Sequence, residues 1–154
     1  MNTYRTSCPS PIGPLEITGS DTALHRIDFR PDGFVIRKTA PPLLQKCKAE
    51  LIEYFAGKRH DFTLPLDFHG TPFQQSVWQA LTRIPYGEVV SYKAVAKSVR
   101  KPKAFRAVGG ANNKNPLPIV VPCHRVIGSN GKMVGYGSGI WRKEWLLAHE
   151  RRYR

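Results

Sequence analysis

The run PIVVPCHRVIG, Pro118 to Gly128, sets a thiol, an imidazole and a guanidinium side by side as Cys123, His124 and Arg125. A thiolate is a strong, soft nucleophile, and a thiol beside a histidine or a positive charge gives up its proton more readily. On a regular strand, neighbouring side chains point to opposite faces, so Cys123 and His124 communicate only if the chain bends or a water bridges them. Pro122 supplies a bend, because it has no N–H to offer a strand ladder. Cysteine is also among the most buried residue types, and after an apolar run Cys123 taken alone would be plain core. The imidazole and guanidinium beside it argue for chemistry instead, since no acid nearby in sequence neutralises them. A cysteine-protease arrangement would need a remote histidine and an amide, for which His60, His69 and Asn130 are unspecific candidates.

The charge distribution favours a different partner. Residues 1–70 carry 9 Lys and Arg against 8 Asp and Glu, whereas residues 71–154 carry 15 against 3. Nearly all of the formal charge of +13 therefore lies in the second half, and no acid occurs from Val89 to Lys143. Most surfaces mix signs for solubility, so such a run points to a polyanion bound through its phosphates. A membrane surface is a poorer fit: there is no apolar stretch of about 20 residues to span one and no long amphipathic helix to lie on one.

Cys8, Cys47 and Cys123 are an odd number at wide spacings, without CxxC pairs, which argues against a disulfide scaffold and a zinc ribbon. Cys8, Cys47 and His25 are read as packing residues, and no metal is expected. No phosphate-binding or dinucleotide fingerprint is present, and no cofactor is expected. A signal-peptide pattern is missing from MNTYRTSCPSPIG.

The elements that must position the thiol follow from periodicity and turn chemistry. Tyr4 to Cys8, Leu15 to Thr18 and Leu24 to Phe29 read as short strands separated by PSPIGP, GSD and RPDGF. Pro42 to Ala56 has helical spacing, with Gly57 as its stop, and His60 to Gly70 reads as a linker. Thr71 caps a helix with Pro72 in its first turn, and Phe73, Val77, Leu81 and Ile84 line one face. After the break at Tyr86-Gly87, Ser91 caps SYKAVAKSV, and KAFRAVGGANN follows the interruption Lys101-Pro102-Lys103. The two short helices, with Lys93, Lys97, Arg100, Lys101, Lys103 and Arg106, have the form of a helix-turn-helix. Two glycines inside the second helix each cost about 1 kcal/mol relative to alanine, which calls for close approach by protein or ligand. Ile119 to Val121 reads as a buried strand ending at Pro122, and WRKEWLLAHE as a last helix. The fold class expected is α/β of the α+β type. Residues 1–70 would form a small antiparallel sheet with a helix, and residues 71–154 a mainly helical, basic, nucleic-acid-binding half that carries the cysteine.

These motifs resemble a known family. FQQSVWQAL, IPYGEVVSY, RAVGGAN, NPLPIVVPCHRVIG and KEWLLAHE occur in the order and at the spacing of the O6-alkylguanine-DNA alkyltransferases, also called methylated-DNA–protein-cysteine methyltransferases. The likeness is close from Thr71 to Glu150 and weaker before it. It implies a repair protein that flips O6-alkylguanine out of duplex DNA and transfers the alkyl group irreversibly, once, to Cys123. By the same resemblance His124 takes the thiol proton through a water, Glu150 holds His124, and Asn115 ties the recognition helix to the cysteine turn. Arg106 would enter the base stack, and Tyr92 would rotate the backbone phosphate. Ala107, Gly109 and Gly110 would permit approach to the minor groove, with Ser91, Lys103 and Arg125 as further DNA contacts. Tyr92, Val126, Tyr136, Gly137 and Ser138 would line the base pocket, and the carbonyls of Cys123 and Val126 would read the exocyclic amine. A monomer acting on double-stranded DNA, cytoplasmic at the nucleoid or nuclear in a eukaryote, is implied. The rival from another class is a module that senses alkylated DNA without transferring the group.

Overall fold

A computed structural model describes residues 2–30, 39–133 and 135–154; the expected turn RPDGF falls mostly outside them. The chain divides into two compact units, residues 1–68 and 69–154.

In the first unit, β1 (Tyr4–Cys8), β2 (Leu15–Gly19) and β3 (Leu24–Phe29) form an antiparallel meander in the order β1-β2-β3. The register pairs Cys8 with Leu15 and Ile17 with Ile27, so apolar side chains share a face. Helix α1 (Pro42–Phe55) buries Leu44, Cys47, Leu51 and Tyr54, the stripe that its spacing predicts. Gly57 follows the helix with φ +77°, a left-handed stop that glycine adopts without penalty. Glu50 is buried, and it earns its place by accepting from the Thr63 amide and hydroxyl, both at 3.0 Å. That carboxylate pins the segment leading to Leu66, which bridges to Leu24.

The second unit is mainly helical. Helix α2 (Pro72–Leu81) opens with a capping box in which Thr71 and Gln74 satisfy each other's backbone amides. It ends before Ile84, which is buried in the following turn rather than on the helix face expected for it. A two-residue strand β4 (Val90–Ser91) runs parallel to β5 (Val126–Ile127). Helix α3 (Tyr92–Ser98) is capped by Ser91 Oγ, which accepts from the Ala94 amide at 3.0 Å.

The turn after α3 is a Schellman motif. Lys101 N–H reaches Ala96 O at 2.9 Å, Arg100 N–H reaches Lys97 O at 3.0 Å, and Arg100 takes the left-handed position at φ +61°. Helix α4 (Phe105–Asn113) follows, and α3–α4 is the helix-turn-helix. The indole N–H of Trp78 on α2 donates to Ala111 O on α4 at 2.8 Å, an interior bond worth about 1 kcal/mol net. Helix α5 (Ile140–Arg152) closes the unit. No helix among the described residues is long and apolar enough to cross a membrane.

Candidate active site

The segment before the cysteine is not a strand. Ile119 sits at φ +75°, Val121 N–H returns to Leu117 O at 2.8 Å, and Pro118 to Val121 is a tight turn. A β-branched residue in the left-handed region stores strain on the order of 1–3 kcal/mol. Apolar composition could not distinguish this buried turn from a buried strand, because both need the same side chains. Pro122, at φ −81° and ψ 65°, forms an inverse γ-turn closed by Cys123 N–H to Val121 O at 2.8 Å. Cys123–Arg125 then make one turn of 3-10 helix, which replaces strand alternation and lets all three side chains turn inward.

Asn115 holds this turn in shape. Its Nδ2 donates to Val121 O at 2.8 Å, and its Oδ1 accepts from Leu117 N–H at 3.0 Å. One turn earlier, Asn112 on α4 is buried and donates from Nδ2 to the carbonyl of Cys123 at 3.2 Å. The end of α4 is thus bonded to the peptide of Cys123. Nothing in the sequence assigns Asn112 a bond to the cysteine.

Glu150 organises the far side. It lies on α5 with no solvent exposure and accepts hydrogen bonds from several sides. These come from His124 Nε2 at 2.7 Å, Arg125 Nε at 2.8 Å, Arg125 Nη2 at 3.0 Å and the Gly87 amide at 3.1 Å. Burial pushes its carboxyl up, but the hydrogen bonds from His124 and Arg125 and the charge of the Arg125 guanidinium outweigh it and hold the acid well below the usual carboxylate range. An ionised acid at Oε2 requires the proton of His124 to sit on Nε2. Nδ1 is then the basic nitrogen; it is buried without a hydrogen-bond partner among the described residues. Burial lowers the basicity of His124 more than Glu150 restores it, so the imidazole is neutral at physiological pH.

Arg125 corrects the sequence expectation. It is 5% exposed, bonded twice to Glu150, and donates from Nη1 to Ile84 O at 2.6 Å. A guanidinium so committed does not face DNA; it neutralises the buried acid. Sequence proximity to the basic run was misleading because Glu150, its partner, is 25 residues away.

Cys123 is a free thiol, 4% exposed. Burial pushes it up to about 11, against the downward pull of Asn115, Lys143 and nearby amides. The thiol is therefore protonated at rest, contrary to what its basic neighbours suggested. Lys143 is fully buried on α5, donates to Val126 O at 2.5 Å and to Gly135 O at 3.4 Å, and stands 5.7 Å over the Tyr92 ring. Burial brings its ammonium down to about 8, with Cys123 acting to raise it. A lysine in a basic stretch reads as surface, so this one was missed. Burial also raises the phenols of Tyr92 and Tyr136, each with Cys123 as a further cause, so both keep their protons beside the thiol.

Val126 is buried on β5, Tyr136 is buried in the loop before α5, Gly137 is exposed and Ser138 half-buried. A side chain at Gly137 would come within 2.9 Å of Asn113 O, so the end of α4 also abuts this loop. Lys103, Arg106, Ala107 and Gly110 are exposed, and Gly109 half-buried, along the turn and face of α4; Ser91 is half-buried at the cap of α3. A methyl group on Gly110 would meet nothing within 4 Å, and one on Gly109 only the Tyr92 ring at 3.9 Å. The fold itself does not demand these glycines.

Comparison with known proteins shows the family of the chain. The 6-O-methylguanine DNA methyltransferase DNA-binding domain matches residues 72–152, and the ribonuclease-like domain of the same proteins matches residues 3–68. A methylated-DNA–protein-cysteine methyltransferase of Methanosarcina barkeri is 46% identical, over 96% of both chains. The constitutive one of Bacillus subtilis is 48% identical, over 96% of this chain and 95% of its own. The crystal structure of Mycobacterium tuberculosis OGT in complex with DNA is similar with a TM-score of 0.88 and 43% identity, covering 97% of this chain and 93% of that one. With both halves matched and the identity sustained along the chain, the protein belongs to the 6-O-methylguanine DNA methyltransferase family.

Proposed function

We propose that the protein repairs duplex DNA by moving the alkyl group of O6-alkylguanine onto Sγ of Cys123, once per molecule. The observation that carries this reading is the buried thiol followed directly by a neutral imidazole whose other nitrogen is fixed on an ionised carboxylate.

With a pKa of about 11, only about one Cys123 in several thousand is a thiolate at pH 7.4. That protects the nucleophile from adventitious oxidation and makes a base necessary. His124 Nδ1 takes the thiol proton through a bridging water, and Glu150 stabilises the imidazolium that forms. The thiolate attacks the alkyl carbon, the C–S bond forms, and the carbon–O6 bond breaks with its electron pair left on guanine. Tyr92, still protonated, donates a hydrogen bond to the departing base. The thioether has no easy leaving group, so no step regenerates the thiol.

The base must leave the duplex to reach a thiol this buried, at a cost of a few kcal/mol. Recognition by α4 in the minor groove suits its small residues, because that groove is only about 6 Å wide. In this reading Arg106 fills the gap in the stack. The base lies among Tyr92, Val126, Tyr136, Gly137 and Ser138, with the carbonyls of Cys123 and Val126 facing its 2-amino group. The protein acts as a single copy on each lesion, in the compartment that holds the chromosome.

Incubation with a duplex bearing one O6-methylguanine, followed by peptide mass mapping, tests this. One methyl group on the Cys123 peptide, with unmodified guanine left in the DNA and no further transfer by the same molecules, is the expected result. Tight binding without a mass change would make the protein a lesion sensor instead.

A further inference from the structure

The first two residues of α3 meet α4 four positions apart. The Tyr92 ring lies beside Gly109, where an added methyl group would meet it at 3.9 Å, and the Lys93 ammonium stands 5.5 Å over the Phe105 ring. Positions 105 and 109 share one face of a helix, so Lys93 lies one turn from Tyr92 along α4. Phe105 in turn precedes Arg106, the residue assigned above to the gap in the stack. The start of α3 is also tied to the cysteine turn, because Val90 and Ser91 pair with Val126 and Ile127, directly after Cys123–Arg125. The ammonium thus stands between a residue of the base pocket and the residue that would enter the duplex.

Lys93 is exposed, and Phe105 is 36% exposed. No acid occurs from Val89 to Lys143, and among the described residues no carboxylate pairs with Lys93. A surface lysine without an acid ordinarily keeps its long stem free; here an aromatic face holds the charge in place.

We infer that Lys93, seated on the Phe105 ring, is a positioning residue for base extrusion: its ammonium takes the backbone phosphate beside the nucleotide that leaves the stack. The inference rests on the proposed alkyl transfer from a flipped base. Extrusion turns the nucleotide about its own backbone and so changes where the neighbouring phosphate lies. A cation placed for the turned strand stabilises the extruded state over the stacked one, and speeds transfer more than it tightens binding to intact duplex. Phe105 contributes by fixing the lysine stem in advance, which lowers the cost of ordering it on the phosphate.

The test measures single-turnover transfer from an O6-methylguanine duplex over a range of salt, transfer from the free base, and affinity for the same duplex with guanine at the lesion position. Lys93→Met should slow duplex transfer about tenfold. Its log rate against log salt should be shallower by about one unit, since one fewer phosphate is neutralised. Free-base transfer should stay at the wild-type rate, and affinity for the intact duplex should fall less than about threefold. Phe105→Leu keeps the charge and the apolar bulk without the aromatic face. It should slow duplex transfer about threefold or more, and Phe105→Tyr should restore it. Equal losses in duplex transfer and in intact-duplex affinity would make Lys93 an ordinary phosphate contact and overturn the inference. Wild-type duplex transfer by Phe105→Leu would overturn it too, because the ring then does not seat the ammonium. So would free-base transfer that falls alongside with a lower melting temperature, which would leave the pair a merely structural role. A wild-type protein that transfers from neither substrate would instead sink the proposed reaction, and this inference with it.

Discussion

Arg125 and Glu150 meet in a two-pronged ion pair, 2.8 and 3.0 Å, inside the protein, with side-chain exposures of 6% and 0%. The pair gives the His124 imidazole an acid that stays ionised. Breaking a buried pair strands a charge, which costs about 3–5 kcal/mol. Arg125→Ala is therefore expected to lose stability of that order in urea denaturation, and to lose transfer even where it is still folded.

The same pair sets the acid stability. Because the folded-state pKa of Glu150 is depressed, its contribution is fully present above the ordinary carboxylate value of 4.5 and is lost as pH falls through the folded value. Unfolding free energy measured from pH 7 down to pH 3 should fall less steeply in Glu150→Gln than in the wild type. The variant should start from a lower value and transfer about a hundredfold more slowly. A variant with the wild-type slope would mean that other carboxylates govern the acid limb.

Lys143 should be visible in the pH dependence of transfer. Its ammonium lowers the Cys123 thiol, and it gives up its proton near pH 8, so that help fades above pH 8. The wild-type rate is expected to climb with pH as thiolate becomes available, then to climb less steeply beyond about pH 8. Lys143→Met should be about tenfold slower or worse at pH 7 and should rise without that bend. A bend retained in the methionine variant would assign it to another group.

How much of this was legible in sequence depended on whether the partner lay nearby along the chain. Strands β1 to β3, the capping box at Thr71, the cap at Ser91 and the helix-turn-helix rest on local spacing, and each follows from it. The turn at Ile119 was not legible, because its geometry is imposed by Asn115 and by packing rather than by its own apolar residues. Arg125 was misread and Lys143 missed for one shared reason: a cation's burial depends on acceptors supplied from a distance. Glu150 comes from α5 and Val126 O from β5, and neither is announced by the residues beside the cation. The family motifs did mark Cys123, His124 and Glu150, and the structure joins His124 to Glu150.

Asn115 acts both on the turn, through its bonds to Val121 and Leu117, and on the Cys123 thiol, which its side chain pulls down. Removing its two bonds to the turn in Asn115→Ala should cost about 1–3 kcal/mol, and the strained Ile119 then has a way to relax. Asn115→Asp keeps an acceptor for the Leu117 amide but cannot donate to Val121 O. If holding the Val121 carbonyl is what shapes the nucleophile's turn, the aspartate variant should transfer as poorly as the alanine one while recovering part of its stability. Transfer that recovers with stability would assign the effect to folding alone.

Gly109 and Gly110 give the clearest separation of stability from function. Neither position is crowded by the protein, and a glycine within a helix costs up to about 1 kcal/mol relative to alanine. Gly110→Ala should therefore raise the melting temperature by a few degrees. If α4 enters a narrow groove, the added methyl group meets the DNA instead of the protein. Duplex affinity should then fall about tenfold, while transfer from the free base O6-methylguanine stays at the wild-type rate. A more stable variant with unchanged duplex affinity would remove the close approach of this helix face to DNA. The tolerance of glycine at a costly position would then have no functional reason.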